Sequence, residues 1–175
     1  MTLVFGVGSV GLIYIGLIKA ARIDVKSIGW SLEHFGRNFA LGIVGFLGGL
    51  IVLFLFFITG GISELTIDTQ LDINIWVLIL SIIMGFAIAA WIEQSLMLGY
   101  LQPLLINKYG YWKGIFLQSL AWPLSHIGWF TTWQDFLMGF IFGSLFGVLK
   151  GRNNTLVPGT LAHGSFWVLT SIITT

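Results

Sequence analysis

ILSIIMGFAIAAWIEQSLMLGYL, residues 79–101, is apolar for nearly its whole length yet carries one carboxylate, Glu93. Two further stretches share this property. FLQSLAWPLSHIGWF, residues 116–130, holds His126, and LVPGTLAHGSFWVLTSIITT, residues 156–175, holds His163. A titratable group at bilayer depth is expensive, so it is turned inward, paired, and commonly tied to function. One carboxylate and two imidazoles supply the groups that a proton-transfer site needs.

The surrounding chain fits lipid as its solvent. Of 175 residues, 57% are hydrophobic and 9% charged, and the mean hydropathy is +0.95. Six apolar stretches approach the length that crosses a hydrocarbon core, at residues 2–19, 39–59, 75–100, 114–130, 134–149 and 156–174. The expected fold is an all-α polytopic membrane protein, a bundle of about six transmembrane helices in one domain spanning residues 1–175. The fourth and fifth stretches are short for full spans and are expected to tilt or share depth. The first residues lack a basic n-region and an A-x-A-like cleavage site, so the first stretch is expected to remain as a helix. There is no cysteine, which removes disulfides, thiolate metal sites and a cysteine nucleophile.

Charge orders the helices across the membrane. Lys19, Arg22, Lys26 and Arg37 lie between the first and second stretches, Lys108 and Lys113 between the third and fourth, Lys150 and Arg152 between the fifth and sixth. Glu64, Asp68, Asp72 and Asp135 fall in the opposite loops. The positive-inside rule then places both termini outside the cytoplasm, in a plasma or other energy-transducing membrane. The basic clusters read as topology and anionic-lipid contact. Nucleic-acid binding has no support in so weakly charged a chain.

Glycine is arranged as well as abundant. Gly139, Gly143, Gly147 and Gly151 recur every fourth residue, as do Gly45 and Gly49. Such small-residue ridges let helix backbones approach closely in lipid, here read as packing within the bundle. Gly85, Ala89 and Ala90 share a helical face with Glu93, so that face should point inward. At 1.5 Å per residue, Glu93 lies roughly 22 Å from Lys108, His126 roughly 20 Å from Lys113 and His163 roughly 16 Å from Arg152. The three groups therefore approach similar depth from the cytoplasmic side. Ser125 is adjacent to His126, and neighbouring helical residues point about 100° apart, so a Ser–His dyad is not expected there.

The motifs resemble a known family. Glu93-Gln94-Ser95-Leu96-Met97-Leu98-Gly99-Tyr100-Leu101 is similar to the EExxxRGxL segment of the CPBP family, the CAAX proteases and bacteriocin-processing enzymes also called Abi proteins. Trp122-Pro-Leu-Ser-His126 falls where that family has FxxxH, and His163-Gly-Ser-Phe-Trp167 where it has HxxxN. Ile23-Asp-Val-Lys-Ser-Ile-Gly-Trp30 resembles its short D-x-x-x-x-G stretch. The resemblance implies a metal-independent intramembrane endopeptidase in which Glu93 is general base, His126 its partner and His163 an oxyanion donor. Gln94, Leu98 and Trp167 depart from the family's second glutamate, arginine and asparagine, and Trp122 replaces its phenylalanine.

Two functional classes remain open. One is a glutamate/histidine-dependent endopeptidase acting on a membrane-associated or lipid-modified peptide. The other is a catalytically degenerate accessory or scaffold subunit of a larger membrane complex, contacting pigment or lipid. No cofactor is expected. A metal held by Glu93, His126 and His163 lacks an HExxH framework, and a pigment on His126 or His163 has no specific signature. A transporter is not indicated, since no inverted repeat or pair of broken helices is visible.

Overall fold

The structure, a computed structural model, describes residues 15–16, 22–24, 26–59, 74–128, 130 and 132–173. Five helices lie among them: α1 Phe35–Ile58, α2 Ile75–Tyr109, α3 Tyr111–Leu124, α4 Trp133–Asn153 and α5 Val157–Ile173. The described residues form no β-strand beyond one isolated bridge between Ile127 and Phe130. Apart from residues 15–16, the first expected span, 2–19, lies outside the described residues, as do Glu64, Asp68 and Asp72. α1 and α2, of 24 and 35 residues, are long and apolar enough to cross a membrane by length and composition.

Helix α1 shows how these sequences pack. Asn38, Gly42, Gly45 and Gly49 are buried, whereas Phe39, Ile43, Val44, Leu47, Ile51 and Phe54 are exposed. Large apolar groups outside and small groups inside are the pattern of a helix surrounded by lipid, where close backbone approach drives association. The Phe166 ring of α5 fills the notch at Gly49, and Leu161 of α5 lies against Gly42. α5 thus sits at the centre of the bundle, against α1, α2 and α4, while α3 packs on α2 and α4.

The glycine ridge of α4 has an assigned partner. Gly139 faces Phe130 and Pro123, Gly143 faces Trp122 and Ser119, Gly147 faces Gln118 and Ile115, and Gly151 faces Tyr111. All four contacts are made to α3 and the turn after it, so the ridge serves the fold internally. Leu98, Trp122, Phe146, Leu156, Ala162 and Phe166 form the apolar core beside it.

α1 begins four residues before its expected stretch and α4 ends four residues after its own, and two helices depart further. α2 continues past residue 100 and through Pro103 to Tyr109. Residues Ile83–Ala90 and Ser95–Leu101 wind in wide π-type turns, and the Gln102 amide bonds back five residues to Met97. A wider turn moves the carbonyl that would clash with a proline ring, so Pro103 is accommodated. α3 does the opposite: it stops at Leu124 rather than running to residue 130. Pro123 supplies no amide hydrogen to the last turn, and tightened three-residue bonds from His126 to Pro123 and Ile127 to Leu124 follow.

The chain ahead of α1 is part of the bundle. The Leu156 amide donates to the Gly29 carbonyl at 2.9 Å, and the Trp30 indole donates to Ser95 Oγ at 2.8 Å. Ile28 packs on Gly99 of α2, and Gly29, at φ +109°, lies against Lys150 and Leu156. This segment therefore straps α2 to the α4–α5 turn.

The tight α3–α4 contact yields a paired expectation. A Cβ at Gly143 would lie 3.2 Å from the Ser119 Cα and 3.3 Å from its carbonyl oxygen, backbone atoms that cannot swing away. Gly143→Val is expected to lower stability by about 1–3 kcal/mol through overpacking. Gly48→Ala, with nothing within 4 Å, should be neutral or stabilising by up to about 1 kcal/mol. Thermal unfolding of the two variants in detergent checks the contrast.

Candidate functional site

Three helical regions deliver one cluster. Glu93 lies in the short α-helical run Trp91–Gln94 between the two wide-turn segments of α2. Its helix presents Gly85, Ala89 and Ala90 inward, all buried. His163 projects from the middle of α5, and His126 lies in the turn just beyond α3. His126 Nε2 is 3.7 Å and His163 Nε2 3.8 Å from the same oxygen, Glu93 Oε2. The three side chains are 21%, 16% and 15% exposed for Glu93, His126 and His163. Burial is thus deep but incomplete.

His126 has a defined orientation. Its Nδ1 lies 2.9 Å from the Trp122 carbonyl, which can only accept, so Nδ1 carries a proton there. In the neutral ring Nε2 then bears the lone pair toward Glu93. The ring stacks on Phe130 with centroids 5.0 Å apart. Ser125 Oγ lies 3.2 Å from His126 Nδ1, contrary to the expectation that the two side chains diverge. The divergence holds for continuous helix, and the chain has left α3 by residue 125. Ser125 Oγ also bonds the Trp122 carbonyl at 2.7 Å, so it belongs to the orienting group on the Nδ1 side, away from Glu93.

An ionised carboxylate and a neutral Nε2 facing each other are both acceptors. Such a pair holds a shared proton or takes the hydrogens of a water, and separations beyond 3.5 Å are commonly bridged this way. Apo-state catalytic contacts are also often long. The arrangement can therefore accept a proton from a bound nucleophile and return it. No group of three or more His, Cys, Asp or Glu side chains suited to hold a metal ion is found among the described residues.

The remaining motif positions have different surroundings. Trp122 is buried and covers His163 edge-on, with centroids 5.6 Å apart, while Phe146 stacks on the same imidazole at 5.6 Å. Leu98 is fully buried in the apolar core. Gln94 is fully buried against Gly159. Trp167, one turn beyond His163, sets its Cβ against Gly85 of α2. A side-chain hydrogen bond from this position is confined to the indole, since the residue family members carry here, asparagine, is absent.

Sequence reasoning missed a second set of buried polar groups. Gln102 and Gln118 are buried on facing helices; Gln102 Nε2 donates to the Gly147 carbonyl at 2.7 Å, and Gln118 Oε1 lies against Gly147. Ser95, within the Glu93 motif, accepts from the Trp30 indole and donates to the Trp91 carbonyl at 2.7 Å. Neutral amides and hydroxyls in apolar helices carry no charge signal. Their four-residue spacing from core positions was the available clue.

A lipid-suited helical bundle that gathers one carboxylate and two imidazoles at its interior defines a class of polytopic intramembrane protein with a buried carboxylate–imidazole cluster. Residues 74–169, more than half of the chain, match the family model described as Type II CAAX prenyl endopeptidase Rce1-like. The chain belongs to this family, within the CPBP group whose motifs it carries at Glu93, His126 and His163. No curated protein and no solved structure matches the chain.

The wall over His163 is testable independently of any activity. Trp122→Ala should lower stability by about 3–5 kcal/mol by leaving a cavity beside Phe146 and His163, and Trp122→Phe should cost less. Thermal unfolding in detergent, compared between the two variants, measures the difference.

Proposed function

We propose that this protein is an intramembrane endopeptidase that cleaves a membrane-associated or lipid-modified peptide, with Glu93 as general base. The carrying observation is that the Nε2 atoms of His126 and His163 both face the single oxygen Glu93 Oε2, at 3.7 and 3.8 Å. In this reading Glu93 and His126 take the proton of a water as it attacks the peptide carbonyl. His163 donates to the oxygen on which negative charge develops. The proton then passes to the leaving amine, and the carboxylate is restored. This reading assigns the proton transfer to Glu93 and His126 and the oxyanion contact to the His163 Nε2–H, with no step routed through a metal.

Trp167 stands where the family's asparagine would add a second oxyanion donor. Losing one such donor costs about two to three decades in rate, so the activity is expected to be slow. The same observation, with Gln94 and Leu98 buried and neutral, favours a second reading, that of a catalytically retired subunit of a larger membrane complex. For either reading we infer six spans with both termini outside the cytoplasm, an arrangement supported by the basic residues at Lys108, Lys113, Lys150 and Arg152, which would then lie on the cytoplasmic side.

The deciding experiment compares peptide termini in membranes by mass spectrometry, between cells carrying the native chain and cells carrying Glu93→Ala at equal abundance. Loss of the base is expected to depress formation of defined termini by about 10²–10⁴-fold. Identical termini, with both proteins stable in the membrane, would establish the subunit reading instead.

A further inference from the structure

Beside the Glu93 cluster lie four buried polar atoms without a protein hydrogen-bond partner: Gln94 Oε1, Gln94 Nε2, Thr160 Oγ1 and His163 Nδ1. They belong to contiguous surfaces. On α5, Gly159, Thr160 and His163 share one side, with His163 a single turn after Gly159. A Cβ at Gly159 would lie 2.6 Å from Gln94 Oε1, 3.2 Å from its Cδ and 3.4 Å from its Nε2, so the amide is laid across that turn. Helical side chains lean toward the N-terminus, which brings the His163 ring over the same turn. Gln94 itself directly follows Glu93, the residue that faces the other nitrogen of His163.

Buried polar groups left unpaired are costly, and internal waters typically make about three hydrogen bonds to such groups. We propose that Gln94, Thr160 and His163 enclose an internal water site, and that Gln94 acts through this water as a positioning residue that fixes the tautomer of His163. The amide supplies both a donor and an acceptor, and the Thr160 hydroxyl serves as either. Water that accepts from the Gln94 Nε2–H and from the Thr160 hydroxyl has both lone pairs engaged and can only donate, one hydrogen going to His163 Nδ1. The imidazole proton is then confined to Nε2 and aimed at Glu93.

His126 is held in the opposite sense, since the Trp122 carbonyl retains its proton on Nδ1. One carboxylate oxygen is thereby met by two imidazoles in complementary states, an acceptor from His126 and a donor from His163. The catalytic consequence rests on the peptidase reading, in which His163 must donate. The tautomer assignment stands without it.

The test uses the full chain, labelled with ¹⁵N at its three histidines and held in lipid nanodiscs, with His163 assigned by subtraction using His163→Phe. Ring ¹⁵N shifts are expected to show the Nε2–H tautomer at His163. Gln94→Met, which preserves size but removes the amide, should shift His163 toward Nδ1–H or a mixture; Thr160→Val should shift it in the same direction and guards against misfolding of the first variant. Unchanged His163 shifts in both variants would overturn the proposal. A higher melting temperature for Gln94→Met would also overturn it, because a dry amide replaced by a packed thioether gains stability whereas a water-bridged one loses it. If the peptidase reading holds, Gln94→Met lowers kcat about tenfold or more with KM little changed. A tautomer shift in a chain with no peptidase activity would uphold the water site and defeat the peptidase reading alone.

Discussion

Close backbone contact across glycine surfaces is the constraint on which the other features depend. In lipid an apolar side chain gains little by leaving its surroundings, so helices associate where small residues let them approach. Gly42, Gly45 and Gly49 seat α5 against α1, and the ridge from Gly139 to Gly151 seats α3 against α4. With α5 fixed at the centre and α3 beside α4, α2 closes over both. Only then do Glu93, His163 and His126 arrive from three directions at one point.

The backbone is adapted where those groups meet. Wide turns flank Glu93 on both sides in α2, while α3 ends early, so that His126 stands on a turn rather than on a helix. Wide turns of this kind are concentrated at functional sites because they re-aim side chains at the cost of regular hydrogen bonding. The strap formed by Ile28, Gly29 and Trp30 restrains α2 on its other side through Ser95 and Gly99. Adapted helices and an external brace together hold a carboxylate that the membrane interior would otherwise disfavour.

The departures from the family motifs are electrically consistent with one another. Gln94 and Leu98 are both fully buried, four residues apart on α2, and neither adds a charge to an interior that already holds Glu93. A buried carboxylate at position 94 would have needed a cation nearby, and Leu98 offers none. Apart from the Glu93 cluster and Lys150, the buried polarity is carried by neutral groups, among them Gln94, Gln102, Gln118, Ser95, Ser119 and Thr160. These groups set local hydrogen bonding without adding to the net charge of the bundle.

Composition and hydropathy by themselves determined that this chain is helical and suited to lipid, and the scarcity of ionisable residues in apolar stretches singled out Glu93, His126 and His163. Motif order pointed to the family that residues 74–169 then matched. Helix ends were less legible: Pro103 was passed by α2 and Pro123 helped to stop α3, because the effect of a proline depends on whether the preceding turn can widen. The partner of the α4 glycine ridge, the strap at Trp30 and the buried amides were decided only by the tertiary structure. So was the meeting of both imidazoles at one carboxylate oxygen. Periodicity records which side of a helix is small or polar, but the identity of the facing group depends on residues distant in the chain, brought near by packing.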